Sequence, residues 1–355
     1  HFGPVTFKMQ FLRRPVYGSR TLQFAVRGQG NFSTTAKNPP PRYSGIATFF
    51  RSPYVDMHSD FSELSKIDIG LLGVPFDGGV TSRPGTRHGP REVRNQSATN
   101  VRRVNQATGC QPFDSGLAVA DIGDAFVSRP FELIGAHKEI EDHFLKILKN
   151  GVLPLTIGGD HSISLPILRA FGKSRAEANL KPLALIHIDA HADTGDDYMG
   201  SRFHHGAPFK IAVDENLIDP KKTIQLGIRG STGFPNQWAF SYSSGMRVMD
   251  VDECIALHPE GVLAEISKIV GDSDVYITFD IDALDPAYAP GTGTPEIGGL
   301  STHFAQRLLR GLGAGGLHLN IVGADLVEVS PPLDVGNLAS LAASNLMFEL
   351  LCIAV

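Results

Sequence analysis

The stretch Leu183-Ala184-Leu185-Ile186-His187-Ile188-Asp189-Ala190-His191-Ala192-Asp193 decides how this chain is read. Its first six residues form a short apolar run, the pattern of a strand buried on both faces. The next five alternate acid or imidazole with alanine. In an extended segment alternate side chains share a face, so Asp189, His191 and Asp193 point into one space and the alanines point away. Two other places repeat the arrangement. Gly158-Gly159-Asp160-His161 follows the apolar run 152–157, and Asp280-Ile281-Asp282 follows 275–279. An isolated Asp after a strand is commonly a cap or turn residue. Three acid and histidine clusters after three apolar runs are not explained that way, because four carboxylates buried together without cations would be very costly.

The six side chains His161, Asp189, His191, Asp193, Asp280 and Asp282 offer nitrogen and oxygen ligands at the carboxyl ends of strands, where open parallel sheets bind ligands. That donor set suits two divalent metals. Two metals about 3.5–4 Å apart share a water and lower its pKa.

The rest of the chain fits the same architecture. Strands are expected at 67–74, 152–157, 183–188, 223–228, 275–279 and 321–327. Ile134, Ile140, Phe144, Ile147 and Leu148 mark one helical face, with Gly151 as its stop. Further helices are expected at 261–270, 302–312 and 337–352. Strands alternating with helices predict an α/β fold, a three-layer αβα sandwich around a mainly parallel sheet. No internal repeat is evident.

The motifs resemble those of the ureohydrolases, the arginase and agmatinase family. The matching pieces are Gly-Gly-Asp-His-Ser (158–162), Asp-Ala-His-Ala-Asp (189–193), Thr-Phe-Asp-Ile-Asp-Ala-Leu-Asp-Pro (278–286), Pro-Gly-Thr-Gly-Thr-Pro-Glu (290–296), Val-Glu-Val-Ser-Pro-Pro (327–332) and Arg-Pro-Gly-Thr-Arg-His-Gly-Pro (83–90). The resemblance runs from about residue 42 to the C-terminus, and the combination is far more specific than any one piece. It implies an arginase-like fold and a hydrolase cleaving a guanidino group to urea and an amine. It implies one metal on His161, Asp189, Asp193 and Asp280, and another on His191, Asp189, Asp280 and Asp282. Mn2+ is expected, with Ni2+ as the alternative. His205 matches the family's proton-shuttle histidine, with the neighbouring His204 as a rival. Glu328 matches the carboxylate that pairs with the guanidinium, and Thr294 is expected beside the substrate. Asp193 could also hydrogen-bond the shared water. His187 reads as a core residue or one that supports a ligand. The family's habit of assembly implies a homo-oligomer, a trimer or hexamer.

The chemistry suits these residue types. A guanidinium carbon is a poor electrophile, a carboxylate matches a planar cation through parallel N–H bonds, and an imidazole can deliver a proton to the leaving amine. The substrate is less legible. The loop 194–203 lacks the Ser-Gly-Asn pattern of arginases, so arginine is disfavoured relative to agmatine and guanidino acids. Residues 42–51 resemble the opening segment of guanidinobutyrate and guanidinopropionate enzymes. Asp196 and Asp197 are candidates for a distal ammonium and Arg202 for a carboxylate, although solvated loop charges are the plainer reading. Free guanidine with nickel is an alternative, for which Phe203, Phe209 and Trp238 would close the site. A formimino or amide hydrolase and a non-catalytic regulatory subunit are the remaining alternatives; no ligand position is lost, which disfavours the last.

Composition narrows the partners. The 355 residues are 42% hydrophobic and 19% charged with net charge -5, enough for one large domain and no reason to expect nucleic acid. No apolar run reaches a membrane span. Cys110, Cys254 and Cys352 are scattered, as in a reduced compartment. Before Asp56 there is no acidic residue, while Lys8, Arg13, Arg14, Arg20, Arg27, Lys37, Arg42 and Arg51 are basic. Residues 1–41 therefore read as a basic arm, or as a mitochondrial targeting segment, ahead of a catalytic domain over 42–355. With the arm, the expected location is cytoplasmic; with the targeting segment, mitochondrial.

Overall fold

The computed structural model describes residues 41–57, 61–100, 102–231, 235–313 and 315–355. Apart from Pro41, the expected N-terminal arm lies outside them. Eight strands form one sheet: β1 (Ile69–Val74), β2 (Val119–Asp124), β3 (Leu153–Gly158), β4 (Leu183–Ile188), β5 (Ile218–Ile228), β6 (Arg247–Asp250), β7 (Asp274–Asp280) and β8 (Asn320–Val327). Their order is β2-β1-β3-β8-β7-β4-β5-β6, and every pairing is parallel. Parallel strands need crossover helices, which cover both faces. The helices are α1 (Gly89–Thr99), α2 (Leu133–Lys149), α3 (Ser164–Glu177), α4 (Pro208–Asp214), α5 (Ala239–Ser244), α6 (Val251–Val270), α7 (Thr302–Leu312) and α8 (Leu338–Ala354).

Two apolar cores result, one on each face of the sheet. Helices α1, α6, α7 and α8 fill the first, and α2, α3 and α4 the second. Helix α7 shows how sequence sets such a layer. Ser301 caps it by accepting from Phe304 N at 3.1 Å, and Ala305, Leu308, Leu309 and Leu312 recur on its buried face. Truncating one such leucine to alanine costs about 2–5 kcal/mol.

Several expectations shift. Strand β5 begins at Ile218, five residues before the expected start, because its first half alternates and reads as polar. Helix α6 begins at Val251, ten residues early, and passes through a kink at His258-Pro259, where proline cannot donate to the helix. Ile134 was placed on the buried face of α2, but it is 67% exposed; Ala136, Ile140, Phe144, Ile147 and Leu148 form that face. Gly151, at φ +75, does follow the helix end. Within residues 42–51, Phe49 and Phe50 are buried at the outer strand β2 and helix α1: Phe49 N donates to Asp121 at 2.9 Å and Phe50 N to Ser97 at 3.1 Å.

The order of strands positions the site. The chain runs from β3 to β4 across a gap that β7 and β8 later fill. The ends of β3, β8, β7 and β4 therefore meet at the middle of the sheet, each followed by a motif residue. One layer below, a polar row crosses the sheet: Thr156 pairs in register with Asp325, Asp325 with Thr278, Thr278 with His187, and His187 with Gln225. All five are buried.

Candidate metal centre and active site

His161 sits in the turn after β3, opened by Asp160, whose side chain accepts from Ser162 N. Its Nδ1 lies 3.1 Å from Asp189, 2.9 Å from Asp193 and 3.2 Å from Asp280. Yet Nδ1 makes no well-formed hydrogen bond and is buried. The other ring nitrogen explains its state. Thr278 Oγ1 donates to Asp325 at 2.5 Å and so accepts from His161 Nε2 at 2.8 Å. The proton belongs on Nε2, which leaves the Nδ1 lone pair facing three carboxylates. That arrangement is repulsive unless a cation lies between them, and it fits a metal ligand. Asp325 is in turn fixed by Ser164 Oγ at 2.7 Å and Tyr276 OH at 2.8 Å.

The second half of the site lies beside it. His191 Nδ1 is 3.1 Å from Asp282 and 3.5 Å from Asp189. Backbone amides hold the acids: His191 N donates to Asp189 at 2.6 Å, Asp282 N to Asp280 at 2.8 Å, and Ala190 N to Asp282 at 3.2 Å. Thr294 Oγ1 donates to Asp282 at 3.3 Å. The structure thus brings together all six residues expected from the sequence. Asp189, His191 and Asp282 form one group able to hold a cation, and His161, Asp189 and Asp193, with His187 near, form another.

His187 does not belong among the ligands. Gln225 donates to its Nδ1 at 3.0 Å and to Ala192 O at 2.7 Å, so Nε2 carries the proton and donates to Asp189 at 2.7 Å. Both nitrogens are committed, and the ring orients Asp189 instead. Electrostatics mark the same demand for positive charge. Burial, then Asp282 and Asp189, push Asp280 well above the usual carboxylate range. Burial likewise raises Asp282. Burial opposes a charged His161, but the Asp189, Asp193 and Asp280 carboxylates crowded against Nδ1 overcome it and raise the imidazole well above its ordinary value. Without a cation the cluster takes up protons; a metal would replace them.

Glu328 follows β8 with φ +63, a left-handed backbone unusual for a long side chain and typical of functional sites. Its Oε1 accepts from His161 N at 2.8 Å and His205 Nδ1 at 2.9 Å. Its Oε2 is buried and has no partner. Thr81 meets the other face of His205, with N at 3.1 Å and Oγ1 at 2.7 Å from Nε2. Burial lowers the His205 pKa, but the Glu328 carboxylate, then Asp160 and Asp193, raise it to about 9. The rival His204 is committed to its loop, with Nε2 on Asp196 O at 2.8 Å and Nδ1 accepting from Gly206 N at 3.2 Å.

The specificity candidates from the loop 194–203 are also committed elsewhere. Asp196 pairs with Lys210, Asp197 accepts from Gly200 N at 2.9 Å, and Arg202 pairs with Asp214 at 2.8 Å. Of the bulky residues, Phe209 packs on the His161 and His187 rings, Phe203 faces His137 and Arg169, and Trp238 lines a separate groove with Tyr242. Sequence reasoning missed Thr278, Asp325 and Gln225 as supports. It also missed Arg229, whose guanidinium reaches six backbone carbonyls: Gly227, Asp282, Ala283, Leu284, Glu296 and Ile297. Arg229 thereby fixes the Asp282 turn to the loop that carries Thr294.

An all-parallel αβα sandwich with acid and histidine clusters at its central strand ends defines the class as arginase-like. The chain belongs to the arginase family, whose profile matches residues 67–352. It is 46% identical to a guanidinopropionase from Pseudomonas aeruginosa over 88% of this chain and 93% of that protein. It is 45% identical to a mitochondrial agmatinase from Gallus gallus, over 89% of each. The structure of proclavaminate amidino hydrolase from Streptomyces clavuligerus is similar with TM-score 0.79 and 38% identity, covering 88% of this chain and 98% of that one. The chain is therefore a hydrolase acting on linear amidines, in a metal-dependent family. Among the described residues no helix is long and apolar enough to cross a membrane.

Proposed function

We propose that the chain is a two-metal hydrolase that converts a small guanidino compound, agmatine or a guanidino acid, to urea and an amine. The observation that carries this reading is the orphaned Oε2 of Glu328. A buried carboxylate oxygen without a donor is costly, and a planar cation with parallel N–H groups is the chemical partner that relieves it. His161, Asp189, Asp193 and Asp280 would hold one metal, and Asp189, His191, Asp280 and Asp282 the other, Mn2+ before Ni2+. When bound, the pair supplies a water of lowered pKa.

The protein's own groups do the rest. Glu328 orients the guanidinium so that its carbon faces the acid cluster. Water adds to that carbon, the carbon–nitrogen bond to the tail breaks, and the departing nitrogen takes a proton to leave as an amine. His205, held on Nδ1 by Glu328, is the donor. In the neutral ring Nε2 accepts from Thr81 N; in the charged ring it donates to the Thr81 hydroxyl, which connects it to solvent. A homo-oligomer is part of this reading, consistent with the highly exposed Phe131, Ile134 and Met199. The test is urea release from agmatine, 4-guanidinobutyrate, 3-guanidinopropionate, arginine and free guanidine, with protein loaded separately with Mn2+ and Ni2+. Urea from agmatine or a guanidino acid is expected; none from either overturns the proposal.

A further inference from the structure

Helix α2 carries none of the six clustered residues, yet one of its side chains stands where the parts of the site join. His137 is 2% exposed. Its Nε2 lies 3.1 Å from Ser162 Oγ, and its Nδ1 is buried without a partner. Orphaned buried N–H groups are rare, so the proton belongs on Nε2, which donates to Ser162. The ring also packs edge-on against Phe76, at 6.1 Å between centroids, and against Phe203, at 6.3 Å. These neighbours come from three segments. Phe76 opens the strap 76–81 that leaves β1, Ser162 follows the candidate ligand His161, and Phe203 stands two residues before His205.

The strap is what grips His205. Gly79 O accepts from His205 N at 2.9 Å, and Thr81 meets Nε2 through both its amide and its hydroxyl. Ser162 supports the strap from below. Ser162 N and Gly79 N donate to the two oxygens of Asp160, at 2.9 Å and 2.7 Å. A side-chain carbon on Gly79 would lie 2.4 Å from Ser162 Oγ, so the hydroxyl stands directly against the glycine. That hydroxyl keeps its place because His137 holds it. Contacts therefore run without a break from α2 through Ser162 and Gly79 to His205.

We propose that His137, acting through Ser162, is a positioning residue that holds the strap 76–81 and thereby His205. This rests on the guanidino-hydrolase reading above, in which His205 gives the proton to the departing amine. A ring turned or displaced by a fraction of its hydrogen-bond length loses transfer rate, while the binding of metal and of the guanidinium stays as it was.

The experiment compares His137→Gln with His137→Asn. Glutamine places an amide N–H where Nε2 stands and reaches Ser162; asparagine places one where Nδ1 stands and does not. Both bury an amide in place of the ring, so a merely structural histidine would make them equal. Ser162→Ala removes the hydroxyl while leaving α2 untouched, and gives the same reading if a helix variant fails to fold. On the guanidino compound that wild type turns over fastest, His137→Asn and Ser162→Ala should lower kcat at least tenfold. Their KM, and their Mn2+ affinity by calorimetry, should stay within threefold of wild type, and His137→Gln should keep kcat within threefold. The His205 ring signals in nuclear magnetic resonance of metal-free protein should move in the first two variants and not in His137→Gln. Equal losses in Gln and Asn, unmoved His205 signals, or a matching loss of Mn2+ affinity overturns the proposal. If wild type releases no urea, the guanidino reading fails, and the His205 signals alone decide whether His137 positions that ring.

Discussion

Replacing Thr278 by valine removes one hydroxyl and little else, since valine matches threonine in shape and suits a strand. That hydroxyl accepts from His161 Nε2 at 2.8 Å and donates to Asp325 at 2.5 Å. Asp325 keeps Ser164 and Tyr276 as donors on Oδ2, while its Oδ1 loses the Thr278 hydroxyl. His161 loses its acceptor: its Nε2–H becomes a buried donor without a partner, at a cost of about 1–3 kcal/mol. The ring escapes that cost by carrying its proton on Nδ1, the atom that faces Asp189, Asp193 and Asp280. Nδ1 is then unable to ligate. Removing a group that orients a metal-binding histidine typically weakens the metal about 10–100-fold, or roughly 1.4–2.7 kcal/mol. Calorimetric titration of metal-free protein with Mn2+ measures it, with circular dichroism to confirm the fold. Thr278→Ser, which keeps the hydroxyl, should behave as wild type. An affinity for Thr278→Val within about threefold of wild type refutes the argument that Thr278 sets the tautomer.

Asp280→Asn should abolish turnover and lower bound metal, measured by urea release and elemental analysis, while leaving the circular dichroism unchanged; burial already disfavours charge at this position. Glu328→Gln keeps the shape but loses the charge, and should lower kcat/KM on the preferred guanidino substrate by about 100-fold, roughly 2.7 kcal/mol, with a smaller loss arguing for another anchor. His137 is pushed by burial, and then by Arg169, from 6.5 to about 3. The unfolded chain therefore binds its proton first as pH falls, so the stability is present above pH 6.5 and is lost on acidification towards pH 3. Between pH 7 and pH 5 the loss from this group is about 2 kcal/mol, and His137→Gln should lose that much less in urea unfolding. Arg229→Met strands several buried carbonyls and should destabilise by about 3 kcal/mol or more, read as a lower urea midpoint.

The parts of this fold that are legible in sequence are those whose burial is uniform. Strands β3, β4, β7 and β8 are covered on both faces, so they appear as apolar runs, and their ends carry the acids. Strand β2 carries Asp121 and Asp124 within six residues, which hides it. Those acids are satisfied by Arg94, at 2.9 Å and 2.6 Å, a partner that only the tertiary structure supplies. Strand β6 has four residues and no clear pattern. The six clustered residues were legible because they stand at or shortly past the ends of apolar strands. Their supports were not: Thr278, Asp325 and Gln225 lie inside strands, and what connects them is the register between strands distant in sequence. Arg229 was invisible for a similar reason, since its partners are backbone carbonyls that carry no side-chain signal.

The polar row from Thr156 to Gln225 has a consequence for how metal arrives. In small zinc domains the ion assembles its own ligands, and chelation unfolds the chain. Here two members of that row hold candidate ligands directly: Thr278 accepts from His161 at 2.8 Å, and His187 donates to Asp189 at 2.7 Å. Those side chains are placed by strands that pair whether or not a cation is bound. A metal would therefore enter a frame it did not build, and its loss would be met by protons on the acids rather than by unfolding of the sheet.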